Sequence, residues 1–230
     1  MSEIKRKYVI PGELVAEGNY DRLTNVYRID TKYYSTRVGM AEVLTDSVRV
    51  IPLTGPYIPR IDDVVIGKIT NYSAFAWEVD INSCFSGFLL AQSVFGRDYS
   101  PARDSISNKF AIGDLITTKI LAFDRTRDPL LTVSGPGLGK INSGEIMKIS
   151  YTKVPRVIGK KGAMIKTIEN YSKCRLAVGQ NGVVVISGNS DNVVLAKLAL
   201  NLIEKAAHTA DLTQKVQELL SKSNNGEKSE

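Results

Sequence analysis

The sequence predicts a multidomain protein that is mainly β at first and α+β towards its end. Two observations predict this: short strand-like runs separated by turn residues fill residues 1–134, and helical periodicity appears only after a glycine-rich stretch at 135–144. The 230 residues are enough for two or three small domains with their own cores. Hydrophobic content of 43% and charged content of 23% are ordinary for a soluble globular protein.

Residues 1–59 predict a small N-terminal β-rich domain. Turn residues separate its runs at Pro11-Gly12, Gly18-Asn19 and Gly55-Pro56, and no long helical period is visible. The predicted strands are 13–16, 26–29, 33–38, 40–44 and 47–52.

Residues 60–134 predict a five-stranded barrel of the OB type. The run 75–81 alternates with Phe75, Trp77, Val79 and Ile81 on one face, and a long polar loop at about 95–108 separates the third strand from the fourth. Five short strands with one long connection are typical of such a barrel. The predicted strands are 64–70, 75–81, 87–90, 115–123 and 130–134.

Residues 135–144 read as a glycine-rich linker, and 145–220 as an α+β domain with a C-terminal helix. A hairpin around the Asn181-Gly182 turn signal separates its early helices from a long helix that Ser190 or Asp191 caps. The predicted order is a strand (145–150), a short helix from 155, a turn at 159–162, a helix (163–172), two strands (175–178, 183–187), a helix to about 207 and a helical segment at 211–220. We expect the polar tail 221–230 to be disordered.

The stretch VIGKKGAMIKTI at 157–168 places two lysines between two glycines, just before an amphipathic helix. Gly159 and Gly162 allow a tight loop that can approach a nucleic-acid strand closely. The helix that follows offers unpaired N–H groups and a positive dipole end to a phosphate, and Lys160 and Lys161 add charge there. The alternative is an ordinary glycine turn at the start of a helix.

The net charge of +6 is concentrated in one segment. Residues 151–175 hold seven basic side chains and one acidic side chain, Glu169, so the remainder of the chain is neutral. Such a patch suits a phosphate backbone or an acidic partner, although it could also be a solvated helix face. The basic residues are Lys153, Arg156, Lys160, Lys161, Lys166, Lys173 and Arg175.

Candidate catalytic groups are scarce, which favours a binding protein over an enzyme. His208, the only histidine, lies near the predicted end of a helix, so we expect no Ser/His or Cys/His arrangement. Cys84 and Cys174 belong to no CxxC pair, and no spacing suits a metal, so we expect neither metal nor cofactor. No apolar run approaches the ~20 residues of a membrane span, and the start lacks a signal-peptide core. We therefore expect a cytoplasmic protein without membrane contact.

Residues 143–207 resemble a type I KH domain (βααββα), in which the GxxG loop clamps about four nucleotides. The preceding block resembles an S1 domain, an OB-type RNA-binding barrel, although Leu90 and Ser73 stand where that pattern often has His and Gly. The matching S1 segments are Gly67-Lys68-Ile69, Tyr72-Ser73-Ala74-Phe75, Gly87-Phe88-Leu89-Leu90, Gly113-Asp114 and Leu131-Thr132-Val133-Ser134.

These resemblances imply two sets of RNA-binding residues. In the KH domain they are Arg156, Gly159, Lys160, Lys161, Gly162 and Lys166; in the S1 domain they are Lys68, Tyr72, Phe75, Arg97, Arg103, Arg125 and Arg127. For Phe75 and Tyr72, burial in the barrel is the alternative. We expect Trp77 to pack in the barrel core rather than to contact RNA. The four arginines could equally pair with nearby aspartates at 98, 104, 124 and 128.

The order of the three blocks is similar to that of the archaeal exosome's S1/KH RNA-binding cap subunit. In the first block, Ile10-Pro-Gly-Glu13, Tyr34-Ser35 with Val38-Gly39, and 57–67 carry this resemblance. The family implies three copies on a hexameric ring of RNase PH-like subunits, possibly mixed with a zinc-ribbon cap protein. It also implies that the N-terminal domain, residues 1–59, docks to the ring. The ring is the nuclease, and the cap guides single-stranded, A-rich RNA to its pore, 3′ end first. The alternatives are an S1/KH transcription or translation factor and a nuclease in its own right.

Overall fold

The computed structural model describes residues 5–96, 98–101, 105–206 and 212–226. The chain divides into two compact units, Met1–Gly55 and Pro56–Glu230. Each unit is described by itself.

The first unit consists of two small β-sheets. Strand β3 runs parallel to β7, and the other pairs are antiparallel. The four-stranded sheet has the order β1-β6-β7-β3, and the three-stranded sheet has the order β2-β5-β4. The strands are β1 (Lys5–Val9), β2 (Leu14–Glu17), β3 (Arg22–Thr24), β4 (Val26–Ile29), β5 (Lys32–Ser35), β6 (Gly39–Val43) and β7 (Ser47–Pro52).

The core of this unit consists mainly of small aliphatic side chains. Val9, Ala41 and Val50 are buried together, with Val15 and Val26 packed against them. The sequence did not predict β1 or β3. Strand β1 begins with three charged residues and β3 is only three residues long, so the alternation of apolar residues that marks a half-buried strand is weak in both.

The second unit begins with a closed five-stranded barrel, as the sequence predicted. Its order is β12-β10-β9-β8-β11, and a direct β11–β12 pairing closes it. The β10–β12 pair is parallel, and the remaining pairs are antiparallel. The elements are β8 (Val64–Tyr72), β9 (Ala76–Asp80), β10 (Ser86–Leu90), α1 (Ala91–Phe95), β11 (Leu115–Ala122) and β12 (Leu130–Thr132).

Part of the predicted glycine-rich linker belongs to this sheet. Gly139–Ile141 forms strand β13, which pairs with Leu115–Thr117 of β11. The linker prediction at 135–144 therefore needs correction over these residues, because backbone pairing with β11 fixes them in spite of their glycine content.

The remaining elements form a KH domain with one added helix. The three strands have the order β14-β16-β15 and are antiparallel. The elements are β14 (Glu145–Lys148), α2 (Val154–Ile158), α3 (Ala163–Ser172), β15 (Arg175–Val178), β16 (Val183–Ser187), α4 (Ser190–Ala206) and α5 (Leu212–Gly226).

Helix α5 is an integral part of the KH core. Leu212, Val216 and Leu220 are buried together with Ile168 of α3 and Leu200 of α4. These three side chains recur every fourth residue, so they form one apolar stripe on the helix. The predicted disordered tail must be corrected at its start, because α5 runs on past residue 220 to Gly226.

The barrel and the KH sheet pack directly against each other. Val184 and Ile186 of β16 face the KH helices, whereas Val183 and Val185 pack on Ile66 of the barrel. The turn between β15 and β16 also makes polar contacts with the barrel. The buried Asn181 side chain donates 2.8 Å hydrogen bonds to the carbonyl oxygens of Ile66 and Ile81.

Candidate nucleic-acid interface

The GxxG loop adopts a backbone conformation that depends on its glycines. Gly159, Lys161 and Gly162 have positive φ values of 73°, 53° and 78°. A Cβ atom at Gly159 would lie 2.7 Å from Met164 Cβ and 2.8 Å from its backbone nitrogen. Lys161 is held in a left-handed conformation that costs a non-glycine residue roughly 1–2 kcal/mol. Such local strain is characteristic of functional loops.

Helix α3 starts directly after this loop and leaves its first turn open. Gly162 is the N-cap residue, so no side chain caps the N–H groups of the first turn. No acidic residue occupies that turn either. These N–H groups and the positive end of the helix dipole together form a suitable site for a phosphate.

The basic side chains around the loop are available to a ligand. Arg156, Lys160, Lys161 and Lys166 are all exposed. Within the described part of the chain, none of the four forms an ion pair with a carboxylate. The carboxylate of Glu169 instead accepts a 2.9 Å hydrogen bond from the backbone N–H of Leu176. Four of the seven basic residues of the predicted patch therefore lie in or beside this loop, whereas Lys173 and Arg175 lie at the far end of α3 and on β15.

Two aromatic side chains flank a tight turn at one end of the barrel. Tyr72 is 41% exposed and Phe75 is 66% exposed. The Ser73 hydroxyl accepts hydrogen bonds from the N–H groups of Phe75 and Ala76, both at 3.3 Å. Serine thus stabilises the turn through its side chain, at a position where the S1 pattern often has glycine.

Residues outside the turn also hold its backbone in place. The Tyr99 hydroxyl donates a 2.6 Å hydrogen bond to the carbonyl oxygen of Ala74, and the Ala91 N–H donates one of 2.8 Å to that of Phe75. The exposed aromatic rings are therefore carried by a backbone with little freedom to move, which reduces the entropy lost when a ligand stacks on them.

Trp77 lies in the barrel core, the default expected for it. It is fully buried, and its indole N–H donates a 3.0 Å hydrogen bond to the carbonyl oxygen of Phe110. Phe75 does not share its environment, although the alternation placed both on one face. Strand β9 begins at Ala76, so Phe75 belongs to the turn and leaves the strand's alternation. Leu90, which stands where the S1 pattern often has His, lies at the end of β10 opposite Ala76 of β9. Its side chain is 41% exposed.

The remaining basic residues assigned to the barrel are exposed where the structure describes them. Lys68 lies on β8, and Arg125 and Arg127 lie between β11 and β12. The carboxylate of Asp124 accepts hydrogen bonds from the Thr126 side chain and backbone and from the Arg127 N–H, and these bonds lower its pKa. Among the described residues, neither arginine forms an ion pair. Arg97 and Arg103 lie outside the described residues.

Sequence reasoning missed one residue that positions the site. The dipeptide Asn181-Gly182 suggested only a hairpin turn, yet Asn181 is fully buried between the KH sheet and the barrel. An Asn-Gly turn within a short hairpin gives no local sign of its partner, since Ile66 is 115 residues away.

The described ranges contain no grouping of three or more His, Cys, Asp or Glu side chains that could hold a metal ion. Across those same ranges, every helix is too short or too polar to cross a membrane.

Comparison with family models identifies two of the three blocks. Residues 6–54 match the model of the exosome RNA-binding protein RRP4 N-terminal domain. Residues 144–202 match the model of the KH domain. A solved structure provisionally described as an exosome complex RNA-binding protein is 40% identical, with a TM-score of 0.69, over 74% of this chain and 98% of that one.

Three relatives that align with nearly the whole of this chain are each named exosome complex component Rrp4. The protein from Nitrosopumilus maritimus is 50% identical over 95% of this chain and 97% of its own length. Those from Methanobrevibacter smithii and Thermofilum pendens are each 40% identical, over 95% and 94% of this chain and 72% and 92% of their own lengths. On the strength of this similarity across nearly its whole length, the chain belongs to the Rrp4 family of exosome complex components.

Proposed function

We propose that the chain is a non-catalytic RNA-binding cap subunit of an archaeal exosome. In this role it captures single-stranded, A-rich RNA and guides the 3′ end into the central pore of an RNase PH-like ring. The ring carries out the 3′-to-5′ degradation. Three copies of the chain sit on each hexameric ring, in some assemblies together with the zinc-ribbon cap protein.

The GxxG loop is the observation that carries the RNA-binding part of this proposal. Exposed Lys160 and Lys161 stand directly before the uncapped first turn of α3. Backbone N–H groups, a helix dipole and two ammonium groups that form no ion pair with the described residues suit a phosphate backbone better than a neutral ligand. Arg156 and Lys166 extend the positive surface along the two helices that flank the loop.

The barrel supplies a second contact of a different kind. Phe75 and Tyr72 offer aromatic faces on which bases can stack whatever their sequence, while Lys68, Arg125 and Arg127 attract the backbone. The buried contacts between the barrel and the KH sheet support an arrangement in which both sites engage the same RNA molecule.

The assembly part of the proposal rests on the family. The relatives are named as components of the exosome complex, and the first unit matches the Rrp4 N-terminal domain. That unit is the one that would dock on the ring, because the GxxG loop and the aromatic turn both belong to the second unit.

Native mass spectrometry of the tagged chain, purified from its own cells, tests the proposal. We expect three copies bound to a six-membered ring of RNase PH-like subunits. The isolated chain should bind single-stranded RNA without shortening it in the presence or absence of phosphate. Co-purification with RNA polymerase or ribosomes instead of a ring would favour the S1/KH transcription or translation factor.

A further inference from the structure

Two polar side chains and one aromatic side chain form a row across the outer surface of the barrel. Asn71 of β8, Glu78 of β9 and Phe88 of β10 are directly opposite one another in the sheet. Their neighbours Trp77 and Leu89 are fully buried in the barrel core, so Glu78 and Phe88 point the other way, out of the barrel. Asn71 shares this side of the sheet because it pairs with Glu78. We call these three residues the outer row.

The outer row lies between the two groups of barrel residues that the proposed function assigns to RNA. The turn that carries Phe75 follows the end of β8, beyond Asn71. On the other side, the backbone N–H of Phe88 donates a 2.9 Å hydrogen bond to the carbonyl oxygen of Pro129. Pro129 is the last residue of the loop between β11 and β12, which carries the two exposed arginines. An RNA strand that contacts both the aromatic turn and this loop would cross the barrel surface at or near the outer row.

The carboxylate of Glu78 is available to a ligand. Its side chain is half-buried, and no described residue donates a hydrogen bond to it or pairs with its charge. Asp80, two residues further along β9, instead uses a carboxylate oxygen to accept the Asn82 N–H at 2.8 Å. A half-buried carboxylate usually has partners, because removing an unpaired charge from water is costly. Glu78 therefore offers an unused hydrogen-bond acceptor on the surface of the sheet.

The side chain of Asn71 supplies the complementary donor. Its Oδ1 accepts a 2.9 Å hydrogen bond from the backbone N–H of Tyr72, which fixes the orientation of the carboxamide. Its Nδ2 has no acceptor among the described residues. Directly opposite residues on one face of a sheet have Cβ atoms about 4.5–5.5 Å apart. A hydrogen-bond donor and the acceptor of Glu78 thus stand side by side, in one row with the ring of Phe88.

The charges on this surface determine which part of an RNA strand can approach it. Glu78 and Asp80 point to the same side of β9, and Lys68 is directly opposite Asp80 on β8. Two carboxylates against one ammonium group repel a phosphate backbone, whereas the exposed arginines of the loop between β11 and β12 attract it. The bases of a bound strand, not its phosphates, would therefore face the outer row.

We propose that the outer row recognises an unpaired base with an exocyclic amino group beside a ring-nitrogen acceptor, which in A-rich RNA is adenine. This inference rests on the proposed function, in which the chain captures single-stranded, A-rich RNA. The amino group donates to the carboxylate of Glu78, the ring nitrogen accepts from Asn71 Nδ2, and the base contacts the ring of Phe88. Uracil carries a carbonyl oxygen in place of the amino group and would bring it against the carboxylate. Cytosine has the same donor and acceptor as adenine, so the row should accept it as well.

Fluorescence-anisotropy titration of the full chain with labelled oligo(A), oligo(C) and oligo(U) of equal length tests the inference. Glu78→Met keeps the length of the side chain and removes the acceptor, so the affinity for oligo(A) and oligo(C) should fall about fivefold or more. The affinity for oligo(U) should not fall, because a negative charge near the RNA has been removed. Glu218→Met is the matched control. Glu218 is exposed on α5, so this variant should bind all three oligomers as the unmodified chain does.

A second variant, Asn71→Asp, makes the opposite change in charge. It keeps the oxygen that accepts the Tyr72 N–H and replaces the Nδ2 donor by an acceptor. Added negative charge lowers RNA affinity in general, so the ratio of oligo(A) affinity to oligo(U) affinity is the decisive quantity. Glu78→Met and Asn71→Asp should both lower this ratio, although they change the net charge in opposite directions. Both variants should stay folded by circular dichroism, since Asn71 is exposed and Glu78 is half-buried.

The outcomes separate this inference from the proposed function. If the unmodified chain binds no single-stranded RNA, the proposed function fails and this inference fails with it. If the unmodified chain binds RNA and neither variant changes the ratio of oligo(A) to oligo(U) affinity, only the assignment of the outer row is wrong. Tighter binding of all three oligomers by Glu78→Met would show that the carboxylate merely repels phosphates, and this result would also overturn the inference.

Discussion

The carboxamide nitrogen of Asn181 lies 2.8 Å from the carbonyl oxygen of Ile66, and this bond ties the KH hairpin to the first strand of the barrel. The same nitrogen reaches the carbonyl oxygen of Ile81 at 2.8 Å, and the Asn181 side-chain oxygen lies 3.4 Å from the Ile66 backbone nitrogen. Two barrel carbonyl groups that would otherwise be buried without partners are thus satisfied by one side chain. The KH domain and the barrel are therefore joined by this polar contact as well as by the apolar packing of Val183 and Val185 on Ile66.

The first prediction concerns how much the Asn181 contact between the KH domain and the barrel contributes to stability. Asn181→Ala should lower the free energy of unfolding of the second unit by about 2–4 kcal/mol, because it leaves buried carbonyl groups unpaired and opens a small cavity. Chemical denaturation followed by tryptophan fluorescence measures the change, since Trp77 lies in the barrel core. Gln180→Ala is the control, because Gln180 is an exposed neighbour in the same turn and should change stability by less than about 0.5 kcal/mol. Equal losses for the two variants would refute the role of Asn181.

The second prediction separates the two glycines of the GxxG loop. Both have positive φ, but a Cβ at Gly162 would meet only Ile165 Cγ2 at 3.9 Å, whereas one at Gly159 would clash with Met164. Gly162→Ala should therefore cost about 1 kcal/mol, from the backbone conformation alone. Gly159→Ala adds an overlap with the backbone of α3 and should cost clearly more. Thermal denaturation compares the two variants, and a Gly162→Ala protein less stable than Gly159→Ala would contradict the loop geometry.

Patterns within short stretches of sequence predicted the loop, helices and strands whose conformation depends on neighbouring residues. The KH domain could be recognised because a tight loop needs its glycines at fixed positions and the following helix shows a 3.6-residue period. Strand bounds agreed within a few residues for most of the barrel, where apolar alternation is strong.

Features that depend on distant partners could not be predicted in this way. Asn181 acquires its role from a strand more than a hundred residues earlier. Strand β13 exists because β11 offers it a free edge, which its glycine-containing sequence does not indicate. Phe75 continues the alternation of β9 in sequence but not in space, because it still belongs to the Ser73 turn and the strand begins only at Ala76.

The third prediction concerns charge at the GxxG loop. Lys160→Asp/Lys161→Asp should weaken binding of single-stranded RNA by about tenfold or more at moderate salt and reduce the steepness of its salt dependence, because phosphate contacts release counterions. The fold should remain intact, since both side chains are exposed and form no ion pair among the described residues. Fluorescence-anisotropy titrations at several salt concentrations give both quantities.

Lys205→Asp/Lys215→Asp is a control with the same change in net charge. These lysines are exposed on α4 and α5, outside the loop, so the RNA affinity should fall much less than with the loop variant. Equal losses for the two double variants would mean that overall charge, not the loop, determines affinity. An unchanged affinity for the loop variant would refute the KH site.

The fourth prediction uses the contrast between two aromatic residues two positions apart. Phe75→Ala should weaken RNA binding by about 1–3 kcal/mol, the usual contribution of one base stacked on an aromatic ring, and leave stability nearly unchanged because Phe75 is 66% exposed. Trp77→Ala should lower the free energy of unfolding by about 3–5 kcal/mol, because Trp77 is fully buried. Anisotropy titration, at a temperature where both variants are folded, measures the RNA affinity, and thermal denaturation measures the stability, so together they separate the two effects. If Phe75→Ala destabilised the barrel and left the RNA affinity unchanged, Phe75 would be a packing residue and the aromatic turn would not be an RNA contact.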